Sequence, residues 1–538
     1  MAARSGCGTT RRPASGRPVT LKRSTPPGSP RAFSGRPVAS GSTTTPPSRV
    51  PTGAARPTSE ARRVTPRTTT PGSEDSTGEV VAAGVDRARS AMAEFADADQ
   101  GRVDEVVTAL AWSLYKPEHA RELAELAVRT TGLGNVADKI VKNRRKTFGT
   151  LRDLSRARTV GLIEEDPARG LMIYAKPVGV VAAVTPSTNP AATPVNKAMM
   201  AVKGRNAVVI APSPLAYATT SRAVELMRAA LEGVDAPPDL VQILPEPVTR
   251  RSTTALMEAC DLSVVTGSQN NVRSAYRSGK PAIGVGAGNV PVVIDSTADL
   301  GQAAAGIVAS KTFDNATSCS SENSLVILDD VYDRALDELR KAGAYVVDGQ
   351  EKGAIRDALW VEGRLNREVI ARDADVLARH AGLGAQAGQA RLFLVEDELP
   401  ARAGSFADEK LSLVLTVYRA AGIREAIDTV KAVLEVRGRG HSCGIYTASV
   451  DNARLLATEL DVVRVLVNQA HAIGNGGSFT NGLPFTLTMG CGTWAGNSIS
   501  ENLNYRHFIN LTHLSTTVAE DRPTEEALFG DHWRQYGE

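Results

Sequence analysis

Cysteine is scarce in this chain of 538 residues, and its placement is informative. The five cysteines stand at 7, 260, 319, 443 and 491, an odd number with no CxxC pair. That argues against a disulfide framework and a structural zinc site, and fits a reduced, cytoplasmic protein. Long apolar runs are also missing. None approaches the roughly 20 residues of a membrane span, so no membrane partner is expected. The N-terminus has charge but no apolar stretch of the kind a secretory signal needs. A GxGxxG run is absent, so the standard dinucleotide fingerprint cannot be claimed.

What is present begins with an uneven charge. The net charge of +3 divides into two opposed parts. Residues 1–75 hold 13 basic and 3 acidic side chains, and the remaining 463 hold 49 basic and 56 acidic ones. The first segment also carries 12 of the 29 prolines and almost no apolar residues, so disorder is expected there. Contact with nucleic acid or another polyanion, targeting, or no function at all are the readings open to it. Phe33 is its only aromatic residue and it has no RGG run, which argues against nucleic acid.

From about Glu79 a helical spacing sets in (Val81, Val85, Ala88, Met92, Phe95) and continues to about Arg156. Short apolar runs then alternate with helical patterns. The runs are 177–186, 206–214, 240–247 and 262–268; the helices are 194–204, 218–234 and one around 249–260. This predicts a buried parallel sheet of Rossmann type, with ligands at the C-terminal ends of its strands. A second α/β pattern enters near 285, with runs at 289–295, 323–330, 344–349 and 413–420. Residues 500–515 read as a late extended segment that can pair with a second subunit.

Several residues in this frame have the chemistry of a site. Asn189, in "TPSTNP", follows the first run, where its amide can donate above the sheet; an Asn beside Pro is equally ordinary turn chemistry. Gly267 and Ser268 follow the fourth run and precede a helix, where backbone can approach a phosphate. "GVGAGNVP" (284–291) is a glycine-rich bend at the junction. Cys319, in "KTFDNATSCSSENS", sits among small polar residues. On composition alone it is a core thiol or a nucleophile.

The segment "KTFDNATSCSSENSLVILD" resembles the active-site segment of the aldehyde dehydrogenase superfamily, in its CoA-acylating branch. So do "TPSTNP", "FADEKLSLVL" (406–415), "RGRGHSCGIYT" (437–447) and "GNGGSFTNGLPFTLTMGCGTWAGNSISENLNYRHFIN" (474–510). The last is similar to the acylating acetaldehyde and sulfoacetaldehyde dehydrogenases, and the resemblance spans about 80–515. It implies an α/β fold with a Rossmann-type nucleotide-binding domain (76–284, with a return segment near 473–499). It also implies a second α/β catalytic domain (285–472) and a small oligomerisation segment (500–538).

The resemblance also implies roles. Cys319 matches the nucleophile, and Asn189 the side-chain half of an oxyanion hole completed by the Cys319 N–H. Thr185, Pro186, Ser213, Gly267, Ser268, Gly286, Gly288 and Glu409 match cofactor-binding positions, Glu409 on the nicotinamide ribose. NAD or NADP and coenzyme A are the implied cofactor and co-substrate, and a homodimer or homotetramer the implied assembly. Hydrolytic members carry a water-activating Glu where this chain has Val285, and a Lys where it has Ser213. The first departure favours transfer of the acyl group to CoA; the second leaves NAD against NADP open. The rival is a hydrolytic enzyme using another base, such as Glu322. A bacterial microcompartment is a further address, although the extensions of such relatives resemble short amphipathic helices and residues 1–75 do not.

Overall fold

The computed structural model describes residues 75–537. The basic extension, with its expected disorder, lies outside the described residues up to residue 74. Four helices open the described chain: α1 (Asp75–Glu94), α2 (Gln100–Tyr115), α3 (Pro117–Thr131) and α4 (Val136–Ser155). Their ends have local causes. Asp99 caps α2 by accepting from the Arg102 N–H at 2.8 Å, and Pro117 opens α3. Gly132 ends α3 at φ 67°, and Asn135 caps α4 by accepting from the Asp138 N–H at 2.9 Å.

Two strands follow, β1 (Gly161–Asp166) and β2 (Leu171–Pro177), paired antiparallel. The first large sheet comprises β3 (Val180–Thr185), β4 (Ala207–Pro212), β5 (Val241–Ile243), β6 (Leu262–Thr266) and β7 (Ala282–Val285). Its order is β5-β4-β3-β6-β7 and every pairing is parallel. Helices α5 (Ala192–Lys203), α6 (Tyr217–Glu232), α7 (Arg250–Ala259) and α8 (Gln269–Arg277) connect the strands. Every residue of β3 and β4 is buried, which is why both read as unbroken apolar runs. β7 was not expected: it lies at the start of the glycine-rich bend, which itself begins only at Gly286.

The second sheet has seven parallel strands in the order β10-β13-β14-β9-β8-β15-β16. They are β8 (Val290–Ile294), β9 (Glu322–Leu328), β10 (Ala344–Val346), β13 (Leu392–Glu396), β14 (Val414–Ala420), β15 (Cys443–Tyr446) and β16 (Val465–Val467). A small hairpin, β11 (Trp360–Val361) with β12 (Arg364–Leu365), stands apart. Each large sheet has its own apolar core, one around β3, β4 and β6 and one around β8, β9 and β14. The C-terminal extended segment forms β17 (Ile509–Ser515). It pairs antiparallel with β2 of the same chain in unbroken register, from Ile509 opposite Pro177 to Ser515 opposite Leu171. Within the chain β17 is the outer strand of a three-stranded sheet in the order β1-β2-β17. Among the described residues no helix is long and apolar enough to cross a membrane.

Candidate active site

Loops that leave β3, β6 and β7 meet loops that enter β9 and β14 around a cavity of about 450 Å³. Strand C-termini supply the first set, as a parallel sheet predicts. The second set comes from strand N-termini, which the rule does not cover. Pro186, Asn189, Gly267, Ser268, Gly286, Cys319 and Glu409 all line this cavity. Gly288 lines a smaller adjoining one with Cys319 and Glu409. Thr185 and Ser213 line neither: Thr185 is buried beneath, and the Ser213 N–H donates to its carbonyl at 3.0 Å.

Cys319 is delivered by a strained turn. Helix α9 (Leu300–Thr312) ends, and Asp314, Asn315 and Ala316 follow with φ of 51°, 53° and 59°. Three consecutive non-glycine residues in the left-handed region each cost on the order of 1 kcal/mol or more. Asp314 holds the turn. Its carboxylate accepts from Lys139 Nζ at 3.0 Å, from Lys142 Nζ, from Thr317 Oγ1 at 2.8 Å and from the Asn135 N–H at 3.0 Å. Burial alone would raise this carboxyl, but the two ammonium groups outweigh it and hold it below its ordinary value. Asn323 then ties the Cys319 loop to the Glu409 loop. It donates to the Asp408 carbonyl at 2.8 Å and accepts from the Lys410 N–H at 3.2 Å.

Cys319 is partly exposed, whereas Cys260, Cys443 and Cys491 are buried. Burial in the cavity pushes the Cys319 thiol up to about 12, with Glu409 adding to the push and Arg464 opposing it. Its own backbone N–H also favours negative charge on the sulfur. The Glu409 carboxyl is itself pushed up to about 8 by burial, against the pull of Arg437 and a hydrogen bond from the Gly288 N–H.

Asn189 is oriented from α4. Lys142 Nζ donates to its Oδ1 at 2.9 Å, which directs the amide NH2 the other way. That NH2 has only a long contact, 3.4 Å, to Thr188 Oγ1. It can therefore donate to an oxyanion formed at Cys319.

The remaining lining residues leave backbone exposed. Gly267 has φ 152°, and nothing lies within 4 Å of where its Cβ would be. Ser268 caps α8, the helix that starts there. A Cβ at Gly286 would lie 1.8 Å from Gln269 Nε2, and one at Gly288 would lie 2.0 Å from the Cys319 carbonyl oxygen. An open backbone at a helix N-terminus fits a phosphate, and the resemblance implies that the glycine turn lies beside the nicotinamide and Glu409 on its ribose.

Val285 closes β7 and is 4% exposed, and its side chain is not among the cavity-lining groups. Glu322 is fully buried, with Oε2 accepting from Ser310 Oγ at 2.6 Å and Oε1 from the His471 N–H at 2.9 Å. It lies outside the cavity, so the rival base is committed to bracing β9.

Sequence reasoning missed α4. Lys142, Arg145 and Lys146 line the cavity, although that stretch reads only as helix. The available signal was a helix with lysines at 139, 142 and 146 on one face and Val141 and Phe148 on another; the structure buries the lysines and leaves the apolar pair half exposed. His441 was also missed. It is buried, held neutral by burial and by Arg464, and its Nε2 has no hydrogen-bond partner among the described residues.

Comparisons with known proteins give the family. Residues 58–482 match the model of the aldehyde dehydrogenase family. The chain is 49% identical to a sulfoacetaldehyde dehydrogenase (acylating) of Cupriavidus necator over 460 residues, 85% of this chain and 93% of the relative. It is 43% identical to the corresponding enzyme of Bilophila wadsworthia, over 85% of this chain and all of the relative. An acetylating aldehyde dehydrogenase of Geobacillus thermoglucosidasius superposes with a TM-score of 0.80 at 33% identity, covering 84% of this chain and 99% of that one. The chain belongs to the aldehyde dehydrogenase family.

Proposed function

We propose that this enzyme oxidises a short aldehyde, of the sulfoacetaldehyde class, to an acyl-CoA through a thioester on Cys319. One observation carries the choice of acceptor. Among the described residues lining the cavity the single carboxyl is Glu409, the position that the family resemblance places on the nicotinamide ribose. With Val285 where the resemblance places the hydrolytic base, and Glu322 occupied, no carboxylate among the described residues is poised to activate water.

Cys319 Sγ attacks the aldehyde carbon, and the thiol proton leaves to solvent. The resulting oxyanion receives hydrogen bonds from Asn189 Nδ2 and the Cys319 N–H, a contact type worth about 3 kcal/mol. A nicotinamide cofactor held at Gly267, Ser268, Gly286 and Glu409 would supply a hydride acceptor and a positive charge that would favour the thiolate. Collapse of the oxyanion leaves the acyl group on sulfur. Hydrolysis would need a general base, worth roughly 10²–10⁴-fold. The thiol of CoA needs less help, because a pKa near 8.5 leaves a few per cent as thiolate at neutral pH. The acyl group therefore passes to CoA with its thioester energy retained, and the step runs in both directions.

The test is product identity. With aldehyde, NAD or NADP and CoA, mass spectrometry is expected to show acyl-CoA, and Cys319→Ser to lower the rate by several orders of magnitude in a folded protein. Free acid as the sole product, or near-normal turnover by Cys319→Ser, would contradict the proposal.

A further inference from the structure

We infer that Arg145 and Lys146 form a subsite for an anionic substituent on the aldehyde, selecting a short aldehyde with a sulfonate over an uncharged one. The inference rests on the proposed aldehyde oxidation and adds the residues that choose the substrate.

Both side chains line the cavity that holds Cys319 and Asn189. Lys146 is 7% exposed, and its Nζ donates to one group among the described residues, the Gly476 carbonyl, at 2.6 Å. In its protonated form the amino group has three protons to donate, so two have no acceptor among the described residues. Arg145 makes only long contacts, 3.3 Å to the Ile473 carbonyl and 3.5 Å to the Gly477 carbonyl. Among the described residues neither cation has a carboxylate partner. Asp314, the acid packed against α4, is held by Lys139 and Lys142. The cavity's own carboxyl, Glu409, is drawn by Arg437.

A buried cation without a counter-charge is costly, and a second, half-buried one beside it adds to the cost. Burial and mutual repulsion hold Lys146 well below its ordinary value. Phe485 offsets part of the cost: its ring centroid lies 5.4 Å from the Arg145 guanidinium and 5.6 Å from Lys146 Nζ. Lys197 is the contrasting case. It is as deeply buried, but donates to two carbonyls, of Val184 and Val264, at 2.8 Å each and lies away from the cavity. It is a strand clamp, and Lys146 is a clamp with donors to spare at a ligand site.

The order of the lysines along α4 sets the subsite beside the oxyanion donor. Lys142 holds Asn189, the oxyanion partner, and Lys146 lies four residues on, about 6 Å along the helix. One turn of α4 thus separates the lysine that orients the oxyanion donor from the lysine of the proposed anion subsite. An anion there would receive charge-assisted hydrogen bonds from both side chains.

The experiment compares kcat/KM for sulfoacetaldehyde and propanal, with CoA and cofactor saturating, in the unmodified enzyme and in Arg145→Gln and Lys146→Met. The unmodified enzyme is expected to favour sulfoacetaldehyde, and each substitution to lower that ratio by about 10- to 100-fold, mostly through KM. Lys146→Arg is expected to restore part of it. Ethanesulfonate should compete with the aldehyde and slow alkylation of Cys319, and Arg145→Gln should abolish both effects. Arg145 is only half buried, so that variant keeps the test open if Lys146→Met fails to fold. An unchanged ratio and unchanged ethanesulfonate inhibition in Arg145→Gln would overturn the subsite. CoA-dependent oxidation of propanal alongside that result would leave the acylating reading standing; free acid as the sole product from both aldehydes would sink that reading instead.

Discussion

Lys142 and Asn189, 47 residues apart in the chain, are joined by a hydrogen bond of 2.9 Å from Nζ to Oδ1. The same ammonium group bonds Asp314 and Thr317 in the turn before Cys319. One lysine thus positions the oxyanion donor and supports the turn that carries the sulfur. Asn189→Ala is expected to lower kcat about 10²–10³-fold. Lys142→Met is expected to act largely through Asn189, so adding it to Asn189→Ala should cost less than threefold more in kcat. Losses that simply multiply would show that the two act independently.

Asp314 tests the energetics of the same cluster. Removing one partner of a buried ion pair leaves the other charge uncompensated, so Asp314→Asn is expected to destabilise the fold by about 3 kcal/mol. The Asp314 carboxyl is held below its ordinary value, so its contribution is present above the unfolded pKa of about 4 and is lost as pH falls through the folded value. Denaturant titrations of the two proteins should therefore begin to converge only as pH falls below about 4, and meet below the folded value. A difference under 1 kcal/mol at pH 7 would contradict the role given to Asp314.

The cavity electrostatics predict a slow thiol in the free enzyme. With Cys319 pushed up to about 12, alkylation by iodoacetamide should climb with pH and reach no plateau below pH 10. Glu409 adds to that push, so Glu409→Gln should lower the thiol's pKa and speed alkylation by about three- to tenfold at pH 9, above the Glu409 value of about 8. No acceleration would mean that the carboxyl does not act on the sulfur.

Gly288 tests the close approach of the junction to the cysteine. A Cβ there meets the Cys319 carbonyl at 2.0 Å, so Gly288→Ala must displace the turn. Activity should fall at least about 10²-fold. Gly353 has open space around it, and Gly353→Ala should change nothing measurable. Equal effects of the two would remove the steric argument.

Legibility followed the physics of burial. β3 and β4, buried on both faces, announced themselves as continuous apolar runs. The residues just after β3 and β6 followed from that. β13, β15 and β16, of three to five residues, went unread, although β5 and β10 are just as short and were reached from their apolar runs. β7 was hidden because a glycine bend follows it directly. α4 read as helix but not as part of a site because its buried face is charged: hydropathy marks apolar faces, and here ion pairs and cavity-facing donors replace them. Cys319 needed its motif as well as its chemistry, since a lone cysteine among serines has no periodicity to place it.

The acyl acceptor is the central claim. Enzyme mixed with cofactor and a short aldehyde, without CoA, is followed by the absorbance of reduced nicotinamide. A burst of about one equivalent per active site is expected, then near-arrest as the Cys319 thioester accumulates, with turnover resuming when CoA is added. Sustained turnover to free acid at one rate with or without CoA would contradict the proposal and restore the hydrolytic reading.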